Sequence, residues 1–326
     1  MPESPDERFF FAMPHHAFTH RRFAPQPTQS AIRWPGGAGL AISLVLNIEE
    51  GAEYTRSAGD ARNEAVFEVT HEIHGVPDLC METHFEYGAR AGYGRIAQRL
   101  IDAGMPVTLN VCGRALECTP WVADDAVRHG WELCGHGWRW ESPAHMDRDE
   151  ERAALLRTME VITRLSGKPP AGWHCKSSPS SHTRALLQEL GFVYDSNDYG
   201  GEVPYVLHTA DQRPYAVLPY AFDTNDMRFF GQGGFVHAED FARYTCAAID
   251  TLLQEATHAP RLLTIGLHTR ILGRPARIGA LDAIVRHLQQ HASQVWVATR
   301  ESVARHWLQA HASEAAAHSV GAGFSA

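Results

Sequence analysis

No two cysteines are spaced C-x-x-C. The six present, at 80, 112, 118, 134, 175 and 246, are too few for a disulfide scaffold over 326 residues. They are expected as reduced, mostly buried thiols. No apolar run approaches the roughly 18 residues that a membrane-spanning helix needs. The first eleven residues are acidic and prolyl and lack a basic-then-apolar leader. A basic excess is missing as well: 29 Lys and Arg face 38 Asp and Glu, a formal net charge of −9. That sign argues against a polyanion as the main partner. These absences predict a soluble, cytoplasmic protein with neither nucleic acid nor membrane as partner. Internal repeats and low-complexity linkers are also lacking, and no domain boundary is visible between 32 and 312.

What is present is apolar residue in quantity, 44% against 21% charged, enough to bury a large core. Residues 1–31 read as an irregular N-terminal arm and 313–326, rich in Gly, Ala and Ser, as a flexible tail. Between them short apolar runs alternate with amphipathic segments. Strand patterns fall at 39–47 (GLAISLVLN), 106–111 (PVTLNV), 131–134 (WELC), 172–174, 192–194, 215–218, 261–267 (RLLTIGL) and 294–298 (QVWVA). Helical patterns fall at 88–103, 121–129, 148–165, 181–190, 238–256, 276–290 and from 301 onward. This alternation predicts an α/β fold with a mostly parallel sheet, and its seven or eight units favour a closed or nearly closed barrel. In such a barrel, reactive residues sit where strands end.

Three strand ends carry chemistry. The first runs into Glu49-Glu50-Gly51, adjacent carboxylates that raise each other's pKa and suit one of them to general-base work. The third runs into Gly135-His136-Gly137-Trp138-Arg139-Trp140, and the strand at 261–267 into His268-Thr269-Arg270. Singly, each is unremarkable: an acidic loop or a structural histidine. Together they place two acids and two histidines on one rim, enough for a base, an acid and an oxyanion-stabilising group.

The order Glu49-Glu50, His136, His268 resembles the polysaccharide deacetylase superfamily (carbohydrate esterase family 4, the NodB-like fold), whose members have a deformed (β/α)7-type barrel. The resemblance runs from about Ile32 to Ala310. It implies Glu49 as the base, Glu50 and His136 as ligands of a divalent metal, and His268 as the general acid. The third metal position falls on Trp140, whose indole donates but does not ligate. The chain is most similar to the bacterial allantoinases and cyclic-imide hydrolases of this superfamily, in Leu46-Asn47-Ile48-Glu49-Glu50-Gly51, Glu86-Tyr87-Gly88-Ala89-Arg90-Ala91-Gly92, Phe222-Asp223-Thr224-Asn225-Asp226-Met227-Arg228-Phe229 and Gly273-Arg274-Pro275-Ala276-Arg277. That branch implies a metal-independent homo-oligomer that opens hydantoin or imide rings. No cofactor is therefore expected, with Glu50 and His136 as the fallback if a metal binds.

This reading assigns catalysis to Glu49, Glu50, His136 and His268. Glu86, Arg90, Asn225, Asp226 and Arg228 are candidates to position a small polar ring, and Trp138, Trp140 and Trp173 to wall its pocket. The stretch His174-Cys175-Lys176-Ser177-Ser178-Pro179, with His84 and Thr269, departs from the allantoinase pattern and leaves the substrate open among cyclic ureides, imides and small amides. The alternatives are a metal-dependent N-deacetylase of an amino sugar or glycan, which needs a third ligand from His84, His145 or His174, a linear-amide hydrolase, and a barrel that only binds.

Overall fold

The structure is a computed structural model that describes residue 26 and residues 30–66, 71–231 and 233–322. The arm expected over 1–31 lies almost wholly outside the described residues. The chain order is β1 Leu40–Ile48, α1 Leu79–Tyr87, a π-helical turn Gly88–Gly92, α2 Tyr93–Asp102, β2 Val107–Val111, α3 Gly113–Cys118, α4 Pro120–His129 and β3 Glu132–Gly135. Then follow α5 Arg148–Ser166, β4 Gly172–Trp173, α6 Thr183–Glu189, β5 Tyr194–Asp195, β6 Tyr205–His208 and β7 Pro214–Val217. The chain closes with α7 Ala238–Glu255, β8 Arg261–His268, α8 Thr269–Leu272, α9 Gly279–Gln290, β9 Val295–Val297 and α10 Arg300–Ala322. The backbone of α10 thus continues into the stretch read as a tail.

The sheet runs β6-β7-β5-β4-β3-β2-β1-β8, and every pair is parallel except the β6–β7 hairpin. β1 is its centre. All nine of its residues are buried, which is why it reads as one unbroken apolar run. One edge pairs with β8 from Leu40↔Arg261 to Asn47↔His268. The other is shared by β2, over Leu44–Ile48, and β9, over Leu40–Ile42. The expected deformed barrel is therefore a curled half-barrel. The free edge of β8 is met by irregular chain: Leu262 N donates to Glu202 O at 2.7 Å, Gly266 N to Thr224 O at 3.0 Å, and Asn225 bridges Gly266.

The β1, β2 and β8 strands end at one level, so the residues after Ile48, Val111, Gly135 and Leu267 share a rim. Apolar side chains of these strands and of α2, α7 and α9 form the main core, among them Leu46, Leu109, Ile96, Phe241, Ile265 and Leu281. Inside the curl sits a polar plug. Arg300, fully buried at the start of α10, donates through Nε to Ser196 Oγ at 2.8 Å and through Nη2 to Leu218 O at 2.8 Å. Buried Glu132 accepts from Thr108 and Tyr194 hydroxyls at 2.8 and 2.7 Å. Arg300 and Glu132 are thus both partnered, as burial requires.

Helix α1 begins nine residues before the pattern at 88–103 suggests. Asp78 caps it, accepting from Cys80 N and Met81 N, and only Met81 and Phe85 of its nine residues are buried. With so short an apolar stripe, periodicity gives no signal there.

Candidate active site

β1 delivers Glu49 and Glu50 onto the rim, both buried (2% and 3% exposed). Glu49 Oε1 lies 3.4 Å from His136 Nε2 and 3.6 Å from His268 Nε2. Its Oε2 accepts from Arg270 Nη1 at 2.6 Å. Glu50 turns away: Oε2 accepts from Glu49 N at 3.2 Å, Oε1 accepts from the Thr269 hydroxyl, and Arg270 Nη1 lies 3.8 Å off. The π-helical turn packs over Glu50, and a Cβ on Gly88 would stand 2.3 Å from Glu50 Oε1, so any larger residue would have to displace that carboxyl.

The two acids differ electrostatically. Burial pushes Glu49 up, but His268, Arg270 and His136 more than offset it and hold the carboxyl well below the usual range. For Glu50 burial prevails over Arg270 and the Thr269 hydroxyl, and the carboxyl is raised. Glu49 is the stronger acid of the pair.

Both histidines are oriented by their far nitrogens. His268 Nδ1 lies 2.6 Å from Asp226 Oδ1, and His268 N donates to Asp226 Oδ2 at 2.7 Å. Burial disfavours a charged imidazole, yet the carboxylates of Asp226 and Glu49 outweigh it and raise His268 above its ordinary value. Its Nε2–H then points toward Glu49. His136 Nδ1 donates to His174 O at 2.5 Å, which leaves Nε2 aimed at Glu49. The His174 ring stacks on His136 (5.3 Å, 5°) and on Tyr220 (4.2 Å, 18°). Its own Nδ1 donates to Ser196 O at 2.9 Å, and burial, with His136 and Arg300 nearby, keeps it neutral.

Beside His136 a crevice is walled by Trp138, Trp173, Cys175 and Lys176. Lys176 Nζ lies 3.4 Å from the Trp140 ring centre and donates to Trp140 O at 3.1 Å. Arg270 faces the Trp140 and Phe85 rings at 5.0 and 4.7 Å. Burial raises the Cys175 thiol far above a reactive range, so this cysteine is a wall and not a nucleophile.

The other substrate-binding candidates separate. Asp226 is in the cluster, but as the partner of His268. Trp138 and Trp173 line the crevice, Trp173 also packing edge-on against Phe192, and buried Trp140 packs against Lys176 and Arg270. Asn225 Oδ1 is spent on Met227 N at 2.9 Å, a turn cap. Arg228 lies over Phe235 and Tyr244 at 4.7 and 4.6 Å. Glu86 and Arg90 pair with each other at 3.4 Å with side chains 55% and 79% exposed. Helical geometry explains it: Phe85, Gly88 and Gly92 share the inward face, so Glu86 and Arg90 project to solvent.

Sequence reasoning did not single out Arg270, Thr269 as a partner of Glu50, or the carbonyl of His174. The single legible signal was their place just past strand ends, where a neighbouring histidine drew attention first.

The metal implied at Glu50 and His136 does not find its ligand set. His136 faces Glu49, Glu50 faces Thr269, and the Arg270 cation lies against both acids. His84 Nδ1 is engaged by Arg274 at 2.9 Å, His145 is exposed, and His174 is used as above. Among the described residues, the one set of three metal-ligating groups within 4.8 Å of one another is Asp250, His287 and His291, on other elements.

The pattern of the polysaccharide deacetylase family is matched by residues 76–194, a span that includes His136 and the His174 loop. A putative polysaccharide deacetylase of Schizosaccharomyces pombe is 30% identical over 299 residues, covering 85% of this chain and 93% of the relative. The crystal structure of a probable polysaccharide deacetylase from Pseudomonas aeruginosa PAO1 is 40% identical, covering 84% of this chain and 92% of that one, with a TM-score of 0.79. That of the Puue allantoinase is 38% identical with the same coverage and the same TM-score, 0.79.

Proposed function

The chain belongs to the polysaccharide deacetylase family, whose members act as hydrolases on carbon–nitrogen bonds, and on that premise we propose that it opens a small cyclic ureide or imide, as an allantoinase does. The observation that carries this reading is Arg270. A guanidinium pairs with Glu49 and lies 3.8 Å from Glu50 where the family pattern implies a metal, and Trp140 stands at the third ligand position. An N-acetyl amide is a poor electrophile with a basic leaving group, for which a Lewis acid matters greatly. A ureide or imide carbonyl is more electrophilic, and a second carbonyl acidifies its departing nitrogen. A placed base, a placed acid and fixed donors then suffice.

In this mechanism Glu49, the anionic acid, takes a proton from water. His268, charged through Asp226 and Glu49, gives its Nε2 proton to the leaving nitrogen. Asp226 fixes the ring and its tautomer, much as a carboxylate orients a general-base histidine elsewhere. Arg270 holds Glu49 in place and keeps it ionised. Glu50, tied to Thr269, positions the loop and takes no proton.

Lys176 supplies the remaining charge. Among the described residues no carboxylate lies within 4 Å of its ammonium, which lines the crevice beside His136. In this mechanism it receives the negative charge of the carbonyl oxygen as the carbon becomes tetrahedral. Lys176→Met is expected to lower kcat about 10²-fold, the usual loss for one oxyanion donor, with KM changed far less. A variant with unaltered kcat would remove Lys176 from the chemistry.

The reading is tested on a panel of allantoin, hydantoin, succinimide, dihydrouracil and N-acetylglucosamine oligomers, each with and without prior chelation. Ring opening that survives chelation is the expected result. The family name of the relatives supports the other reading, a metal-dependent N-deacetylase. Turnover of acetylated sugars alone, lost on chelation and restored by zinc or cobalt, would establish that reading instead.

A further inference from the structure

Away from the rim, α7 and α9 pack side by side and present three side chains to one point. His287 Nε2 lies 2.7 Å from Asp250 Oδ1, and His291 Nε2 lies 3.8 Å from the same oxygen. The two imidazoles are four residues apart, one within α9 and one at its end, with ring centres 4.7 Å apart. Side chains are 19%, 28% and 48% exposed for His287, His291 and Asp250, so an ion can enter from solvent. No lysine or arginine lies within 4 Å of Asp250 among the described residues.

We propose that Asp250, His287 and His291 form a separate site, outside the catalytic rim, for a divalent transition-metal ion of the zinc type. Ligands about 2.0–2.1 Å from a tetrahedral zinc stand roughly 3.3 Å apart, and the observed spacings of 2.7 and 3.8 Å bracket that value. Two imidazoles and one carboxylate are borderline donors, which favours zinc, cobalt, nickel or copper over magnesium or calcium. A hydrogen-bonded His–Asp pair needs only one imidazole. The second, brought to the same oxygen by helical i,i+4 spacing, is what a bound ion explains. Water fills the fourth position. The ion clips α7 to α9, the helices packed behind β8, whose end carries His268. Its role is to fasten the scaffold, and it takes no part in hydrolysis.

The test is zinc uptake by the metal-stripped full chain, measured by equilibrium dialysis with metal analysis, beside H287A/H291A and Asp250→Asn. Wild type is expected to take up one more zinc per chain than H287A/H291A, with affinity falling at least ~10-fold in Asp250→Asn. Its Tm should rise by several degrees with zinc, and the double variant's should not. Equal Tm values in chelator show that the variants fold, since the replaced side chains are partly exposed. Any ion bound at the rim is taken up by both proteins and cancels. Equal stoichiometry, or an equal zinc-induced rise in Tm, overturns the proposal.

Discussion

His268→Ala is expected to lower kcat for ring opening by about 10³-fold, within the range for loss of a placed general acid, while KM moves little. Removing the ring takes away the proton for the leaving nitrogen without touching Arg270 or Lys176. Asp226→Asn probes the same group more finely. The amide keeps the hydrogen-bonding shape but not the charge that helps raise His268. In the proposed mechanism activity needs His268 protonated, so it should be lost as pH rises through that raised pKa. In Asp226→Asn the pKa falls, and the alkaline limb of the kcat profile moves to lower pH. An alkaline limb unmoved in Asp226→Asn, or near-normal turnover in His268→Ala, would show that another residue protonates the leaving group. The acid limb belongs to Glu49, whose carboxyl is held well below 4.5, so full activity should persist into mildly acid solution.

Arg270→Met should cost more than activity. It leaves two buried acids, 2% and 3% exposed, without their cation, and breaking a buried pair from one side costs about 3–5 kcal/mol. Urea denaturation would measure the loss. Its pH dependence follows from the sign of the shift. A carboxyl whose folded pKa lies below its unfolded value stabilises the fold above the unfolded value, and that contribution disappears as pH falls through the folded one. Glu49 is such a group. The gap between wild type and Arg270→Met is therefore widest near neutral pH and narrows on acidification. In kinetics, Glu49 loses a cation that keeps it ionised, so the acid limb moves up. Glu49→Gln added to Arg270→Met should recover part of the stability, because no buried anion at 49 is left unpaired. If Arg270→Met were as stable as wild type and kept its acid limb, Arg270 would be a bystander and the metal-free reading would lose its main support.

Much of this architecture was legible in the chain. β1, β2 and β8 are buried on both faces, so their apolar runs needed no context to be seen. Because parallel strands release their reactive residues at one end, Glu49, Glu50, His136 and His268 could be placed on a rim before any contact was known. α1 was invisible because it buries too little. Glu86 and Arg90 belong to a motif-like stretch, but which of its residues face inward depends on the helix's packing, and there the glycines won.

The chain by itself determined the strand-and-helix alternation, the acid pair and the two strand-end histidines, since these follow from local hydrophobic pattern and from the ends of strands. Only the tertiary structure decided what each of them touches. Arg270 and Glu49 stand 221 positions apart, and Asp226 and His268 stand 42 apart, so no spacing rule couples them. Their shifted ionisation arises from desolvation and charge at close quarters. Burial makes each group's neighbours decisive, and the fold alone selects those neighbours.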